Sequence, residues 1–172
     1  QFNISKLKWV VDGGSCGQES IRNGVFELEK HYEDNDIVLI HDGIRPNVSQ
    51  EIISGCIAQC RMNGSAITVI PCAEAMLLRE EDPNSSKEVI SRDSLARTQT
   101  PQAFPLGKLC WAHREALKRG ITNSVATCTL MIELGEEVHF CAGSEKNVKI
   151  TTVEDIDIFK ALLLAKRDAW LK

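Results

Sequence analysis

Apolar residues along this chain follow two rhythms. Asp36-Ile37-Val38-Leu39-Ile40 and Ala66-Ile67-Thr68-Val69-Ile70 are short continuous apolar runs, the pattern of strands buried on both faces of a parallel sheet. Lys8-Trp9-Val10-Val11 and Glu137-Val138-His139-Phe140-Cys141 predict two further short strands. Elsewhere the spacing is helical: Ile21, Val25, Phe26 and Leu28 within Ser20 to Lys30, then Ile52, Ile53, Cys56, Ile57 and Cys60. Ser49 is placed to cap that second helix, and Asn63-Gly64 to end it. Helices are also predicted over Leu109 to Lys118, Ala126 to Leu134, and Glu154 through Leu164, the last capped by Thr151 or Thr152. Strand, helix, strand at this pace predicts βαβ units with a right-handed crossover. The pattern breaks from Met76 to Arg97. There Leu77-Leu78 and Val89-Ile90 flank a polar turn over Glu80 to Ser86, which predicts an arm shaped like a β-hairpin.

Composition narrows the class. A chain of 172 residues that is 43% hydrophobic and 26% charged suits one globular domain, read here as spanning the whole of 1–172. The net charge of -4 provides no global field for nucleic acid, so any anionic ligand must be met by a local cluster. No apolar segment approaches the ~18 residues of a spanning helix, so no membrane partner is expected. The seven cysteines are scattered, without a Cys-x-x-Cys pair or histidines at metal spacing. They read as small buried thiols in a reducing cytoplasm rather than a zinc site.

Ligands of open α/β sheets sit beyond the carboxyl ends of the strands, and three polar clusters fall there. Gly13-Gly14-Ser15 follows the first predicted strand; it can bring backbone amides close to a ligand, or be a plain turn. His41-Asp42-Gly43-Ile44-Arg45-Pro46 follows the next. Its carboxylate and guanidinium can hold a metal-bound nucleotide and an anion, or simply pair and end the strand. Lys149 lies between Val148 and Ile150, as a snorkelling surface residue or an anion clamp.

Three segments together, IVLIHDGIRPNVS, RDSLARTQTPQAF and GSEKNVKITTVEDI, resemble the cytidylyltransferases that act on 2-C-methyl-D-erythritol 4-phosphate and on ribitol 5-phosphate. GGSCGQESIRNGV is similar to that family's base-recognition loop. The resemblance covers nearly the whole chain, in the family's order and spacing. It implies a Rossmann-like α/β nucleotidyltransferase, with a mostly parallel sheet flanked by helices and an arm, here about residues 74–97, that reaches into the partner of a homodimer. It implies the reaction of CTP with a polyol phosphate to give a CDP-polyol and pyrophosphate, with Mg²⁺. Methylerythritol phosphate is placed first as acceptor and ribitol phosphate second; the visible motifs are shared by both. Asp42 is implied near the ribose and as the metal ligand, and Lys149 at the transferring phosphate. Arg92 is implied at the acceptor phosphate across the dimer, and Arg45 in site architecture and acceptor contacts. Gly13, Gly14, Ser15 and Ser20 are implied to read cytosine, with Asp42 and Gly43 also at the nucleotide.

Departures from the family pattern set further expectations. The family's Gly-rich triphosphate loop with its Arg and Lys has no counterpart after Gln1. The chain is therefore read as an N-terminally truncated piece of a longer enzyme, itself a poor catalyst. Ala75, Leu77, Gly17 and Ala126 stand where the family has Thr, a basic residue, Arg and Asp. The missing loop together with Ala75 and Ala126 motivates the alternative of a catalytically impaired nucleotide- or partner-binding homologue.

Overall fold

The computed structural model describes residues 4–168. Its main sheet has four strands in the order β1, β5, β2, β6. β1 (Ile37–Ile40) and β2 (Ala66–Pro71) both pair antiparallel with β5 (Ala96–Pro105), while β6 (Phe140–Ala142) runs parallel to β2. Three of the four strands thus share one direction, as predicted, and the fourth lies reversed between two of them.

That reversed strand escapes the apolar pattern. β5 contains Thr98, Gln99, Thr100, Pro101 and Gln102, and its polar side chains are the floor of the site described below. Here pairing with a strand on each side overrides the weak strand propensity of the segment. The two parallel strands of the predicted βαβ unit, β1 and β2, have β5 between them. Lys8 to Val11 forms no strand among the described residues, and Val10 is exposed. Trp9 instead stacks on His31, with ring centroids 4.3 Å apart, and meets Tyr32 edge-on. The last strand sits at Phe140–Ala142 rather than starting at Glu137.

The helices form close to their signals. α1 (Gly17–Leu28) starts directly after the Gly-rich loop. α2 (Gln50–Asn63) is capped by Ser49, whose hydroxyl accepts from the Ile52 amide, and closed by Gly64, whose amide donates to the Cys60 carbonyl. α3 (Leu106–Arg119), α4 (Thr127–Glu133) and α5 (Val153–Asp168) follow. Asp155 accepts from the Thr151 and Thr152 amides to cap α5; those amides hold its carboxyl below the usual range.

Alternate residues on the strands face opposite layers. Ala66 and Ala103 pack with Cys56 and Cys60 of α2. Ile67 and Phe104, one residue on, join Val25 of α1, Leu109 of α3 and Leu130 of α4 in the larger core. All seven cysteines are free thiols, five of them buried. The polar excursion is a hairpin of β3 (Met76–Leu78) and β4 (Glu88–Ile90), followed by a single 3-10 turn at Arg92–Ser94. No helix among the described residues is long and apolar enough to cross a membrane.

Candidate active site

Three segments converge at one edge of the sheet: the end of β1, the middle of β5, and the turn after β6. β1 delivers His41 and Asp42. Thr100 on β5 holds them, its hydroxyl accepting from the Asp42 amide at 3.0 Å and meeting His41 Nδ1 at 3.1 Å. The other ring nitrogen, Nε2, donates to the Arg45 carbonyl. The chain turns at Gly43, with the Arg45 amide returning to the Asp42 carbonyl. Pro46, beyond that turn, has no backbone N–H to donate.

The turn after β6 leaves the sheet at Gly143, whose amide donates to the Val69 carbonyl. A Cβ there would lie 2.6 Å from Gln99 Oε1 and 2.9 Å from the Val69 carbonyl oxygen, so only glycine lets the turn pass so close. Farther along, the Ile150 amide donates to the Ile44 carbonyl, joining this turn to the one after β1.

Lys149 thereby reaches Asp42, with Nζ 3.1 Å from Oδ2. Arg45 Nε approaches the same oxygen at 3.5 Å, while Arg45 Nη1 donates to the Asn147 carbonyl at 2.6 Å. Arg45 is nearly buried, whereas Lys149 and Asp42 remain partly open to solvent. Two cations thus share one carboxylate, leaving the pair poised to meet an anion.

Clefts open on two sides of this cluster. One, about 150 Å³, is lined by Ile21, Asp42, Thr100, Gln102, Ala126 and Lys149, among others. The second, about 260 Å³, shares Arg45, Gln99 and Lys149 and adds Arg97, Glu145 and Asp155. Arg97 lies between Glu145, at 3.3 Å, and Glu74, at 3.7 Å.

The predicted base loop is ordered by its own side chains. Ser20 Oγ accepts from the Gly14 amide at 2.9 Å and donates to the Cys16 carbonyl. Glu19 accepts from both the Ser15 hydroxyl and the Ser15 amide, which lower its pKa. A Cβ on Gly14 would run into the Glu19 side chain. Gly13, Gly14, Ser15 and Ser20 do not themselves line the Asp42 cleft; Ile21, on the next residue of α1, does.

Arg92 stands apart from the cluster. It lines neither cleft, and its guanidinium donates to the Ala73 carbonyl at the base of the arm. Ala126 lines the Asp42 cleft beside Thr127, whose buried hydroxyl has no partner within the protein. Sequence reasoning singled out Asp42, Arg45 and Lys149, which the fold brings together. It missed Gln99, Thr100, Arg97 and Asn147, although all four lie inside the motif segments that carry the resemblance.

The family model of 2-C-methyl-D-erythritol 4-phosphate cytidylyltransferase (IspD) matches residues 3–165. The chain belongs to that family. This cytidylyltransferase is 42% identical to the ribitol-5-phosphate cytidylyltransferase of Lacticaseibacillus paracasei, over 96% of this chain and 71% of that enzyme. It is 38% identical to the 2-C-methyl-D-erythritol 4-phosphate cytidylyltransferase of Clostridium beijerinckii, over 88% of this chain and 64% of that enzyme. Its fold matches the crystal structure of the Francisella tularensis 2-C-methyl-D-erythritol 4-phosphate cytidylyltransferase with a TM-score of 0.81, at 24% identity, covering 92% of this chain and 73% of that one. The nucleotidyltransferase fold expected from the sequence is therefore the fold of this cytidylyltransferase. The alternative of an impaired binding homologue finds no support in these likenesses.

Proposed function

We propose that this protein transfers the cytidylyl group of CTP to ribitol 5-phosphate, with 2-C-methyl-D-erythritol 4-phosphate as the second acceptor. This reverses the order expected from the motifs. The support for the change is the higher identity, over a longer stretch, with the ribitol-5-phosphate enzyme. In the reaction, a phosphate oxygen of the acceptor attacks the α-phosphorus of CTP. The bond to the bridging oxygen breaks, and pyrophosphate leaves with the electron pair. The nucleophile is already anionic, so placement and charge neutralisation carry the catalysis rather than a strong base.

The observation that carries this reading is the Asp42–Lys149 pair, 3.1 Å apart over the polar floor of β5. In the proposal, Lys149 exchanges Asp42 for the α-phosphate, and Asp42 turns to the ribose; Asp42 is also the residue that would hold a metal ion. Arg45 holds the turn and meets the acceptor. Gly13, Gly14, Ser15 and Ser20, with Gly43, receive the nucleotide. Arg92, set apart from its own cluster, serves the partner's site.

For Mg²⁺ the fit is that of a shared site. No group of three or more His, Cys, Asp or Glu residues that could hold a metal exists among the described residues. Mg²⁺ commonly binds through one or two carboxylates plus substrate phosphates, and Asp42 is a carboxylate with one oxygen free of the Lys149 and Arg45 contacts. A bound Mg²⁺ would neutralise triphosphate charge.

We take 1–172 as one cytidylyltransferase-type domain with an arm over about 74–97, paired into a homodimer. The arm supports this, because Leu77 and Val89 are exposed apolar side chains on a two-stranded hairpin. The free thiols suit the cytoplasm. The test is pyrophosphate release from CTP and Mg²⁺ with each acceptor in turn, measured on the full-length protein. The expected result is a kcat/KM for ribitol 5-phosphate at least about tenfold above that for methylerythritol phosphate. The reverse ratio restores the original order, and turnover of neither removes both.

A further inference from the structure

The turn that carries Lys149 is held to β5 by two buried carboxamides. Gln99 Nε2 donates to the Ser144 carbonyl at 2.9 Å, and Gln99 Oε1 accepts from the Ser144 amide at 3.3 Å. Asn147 Nδ2 donates to Gln99 Oε1 at 3.2 Å and to the Thr100 carbonyl at 2.9 Å. The same Thr100 holds the Asp42 amide through its hydroxyl. The Asn147 carbonyl, in turn, receives Arg45 Nη1. Asn147 is therefore in direct contact with the groups that hold Asp42, Arg45 and Lys149, and it precedes Lys149 by two residues.

We propose that Asn147 is the positioning residue that sets the spacing between Asp42 and Lys149. Its significance for turnover rests on the function proposed above. Asn147 is fully buried behind the wall of the cleft of about 260 Å³, and its amide nitrogen is committed to Gln99 and Thr100, so it acts through its neighbours. The chemistry of the position is specific. Two N–H donors on one uncharged, planar group are needed, because both partners are acceptors. Aspartate supplies neither donor and adds a buried negative charge beside Arg45, where it competes with Asp42. An apolar side chain of similar size would fill the same space without needing partners. Asn147 is polar and leaves Oδ1 without a partner within the protein, a cost that placement explains and packing does not.

The test uses Asn147→Asp and Asn147→Ser in the full chain, with a readout that needs no substrate. Competitive acylation by acetic anhydride, read by peptide mass spectrometry, reports the exposure of Lys149 Nζ. Lys108 and Lys118, paired with Glu136 and Glu115 away from the site, serve as internal references. Both variants label Lys149 several-fold faster than wild type, while the reference lysines do not change. Steady-state rates then show kcat down by about 10²-fold with the KM for CTP within about twofold, the mark of misplacement rather than lost binding. Wild-type labelling of Lys149 overturns the proposal, as does a parallel rise at all three lysines, which marks general loosening. Should Asn147→Asp fail to fold, Asn147→Ser and Gln99→Ala, which removes the second anchor of the same turn, carry the same test. The labelling decides the positioning role even if neither acceptor is turned over, an outcome that would remove the functional reading alone.

Discussion

Lys149 illustrates how little a residue can contribute to folding while the proposed reaction depends on it. Its pairing with Asp42 is partly solvent-exposed, so losing it costs about 0–1 kcal/mol of stability. Lys149→Ala should nevertheless lower kcat by about 10³-fold, because charge at the transferring phosphate goes unneutralised. Pyrophosphate release together with a urea midpoint checks both halves; a wild-type rate removes Lys149 from the reaction. His113 is the opposite case, buried in the core against the edge of Phe26, with no partner for either ring nitrogen. Burial, aided by the charge on Arg22, pushes its pKa down to about 4 from 6.5. The unfolded chain therefore takes up a proton that the folded chain refuses. Stability falls as pH drops from 6.5 towards 4, by roughly 3 kcal/mol in all, and is unaffected above that window. His113→Leu should remove this component, read as a shallower loss of urea midpoint between pH 7 and pH 5. An unchanged slope would assign the acid sensitivity elsewhere. At this scale the sequence was legible where charge interrupts an apolar run, as at Asp42, Arg45 and Lys149. Asn147 and Gln99 were not legible, because a buried carboxamide looks like any surface one until its partners are known.

Among the elements, the strands and helices with clean apolar periodicity appeared where expected, with α2 and its Ser49 cap the clearest. β5 did not, because five consecutive residues in its middle, Thr98 to Gln102, are polar or proline and floor the candidate site. Lys8 to Val11 failed for the converse reason: an apolar run is only half a strand, and the other half is a partner. The close passage of the β6 turn under Gln99 makes a sharp prediction. Gly143→Ala pushes a methyl into Gln99 Oε1 and the Val69 carbonyl and should cost about 1–3 kcal/mol, measured by urea unfolding. A neutral result would mean that the turn shifts easily, and then kcat should fall instead.

For the molecule as a whole, the arm sets the questions. If Arg92 serves the partner's site, Arg92→Ala mixed with Asp42→Ala should regain a fraction of activity, since one site in a mixed dimer is intact. Absence of regain in a verified mixed dimer would return Arg92 to its own subunit. The hairpin also presents Arg79 and Lys87 on either side of an exposed tip. If a second copy covers the arm, as proposed, trypsin should cut there first in dilute protein and more slowly as concentration rises. Equal cutting at all concentrations would argue against that cover. β5 has a further consequence. One strand is both the centre of the sheet and the floor of the cleft, so the site cannot open independently of the core. Amide hydrogens along Thr98 to Gln102 should exchange with deuterium only as slowly as the whole molecule unfolds, and a ligand bound between Asp42 and Lys149 should slow them further. Ligand affinity would then be readable in the exchange rates of a strand whose side chains gave no hint, in sequence, that it was a strand.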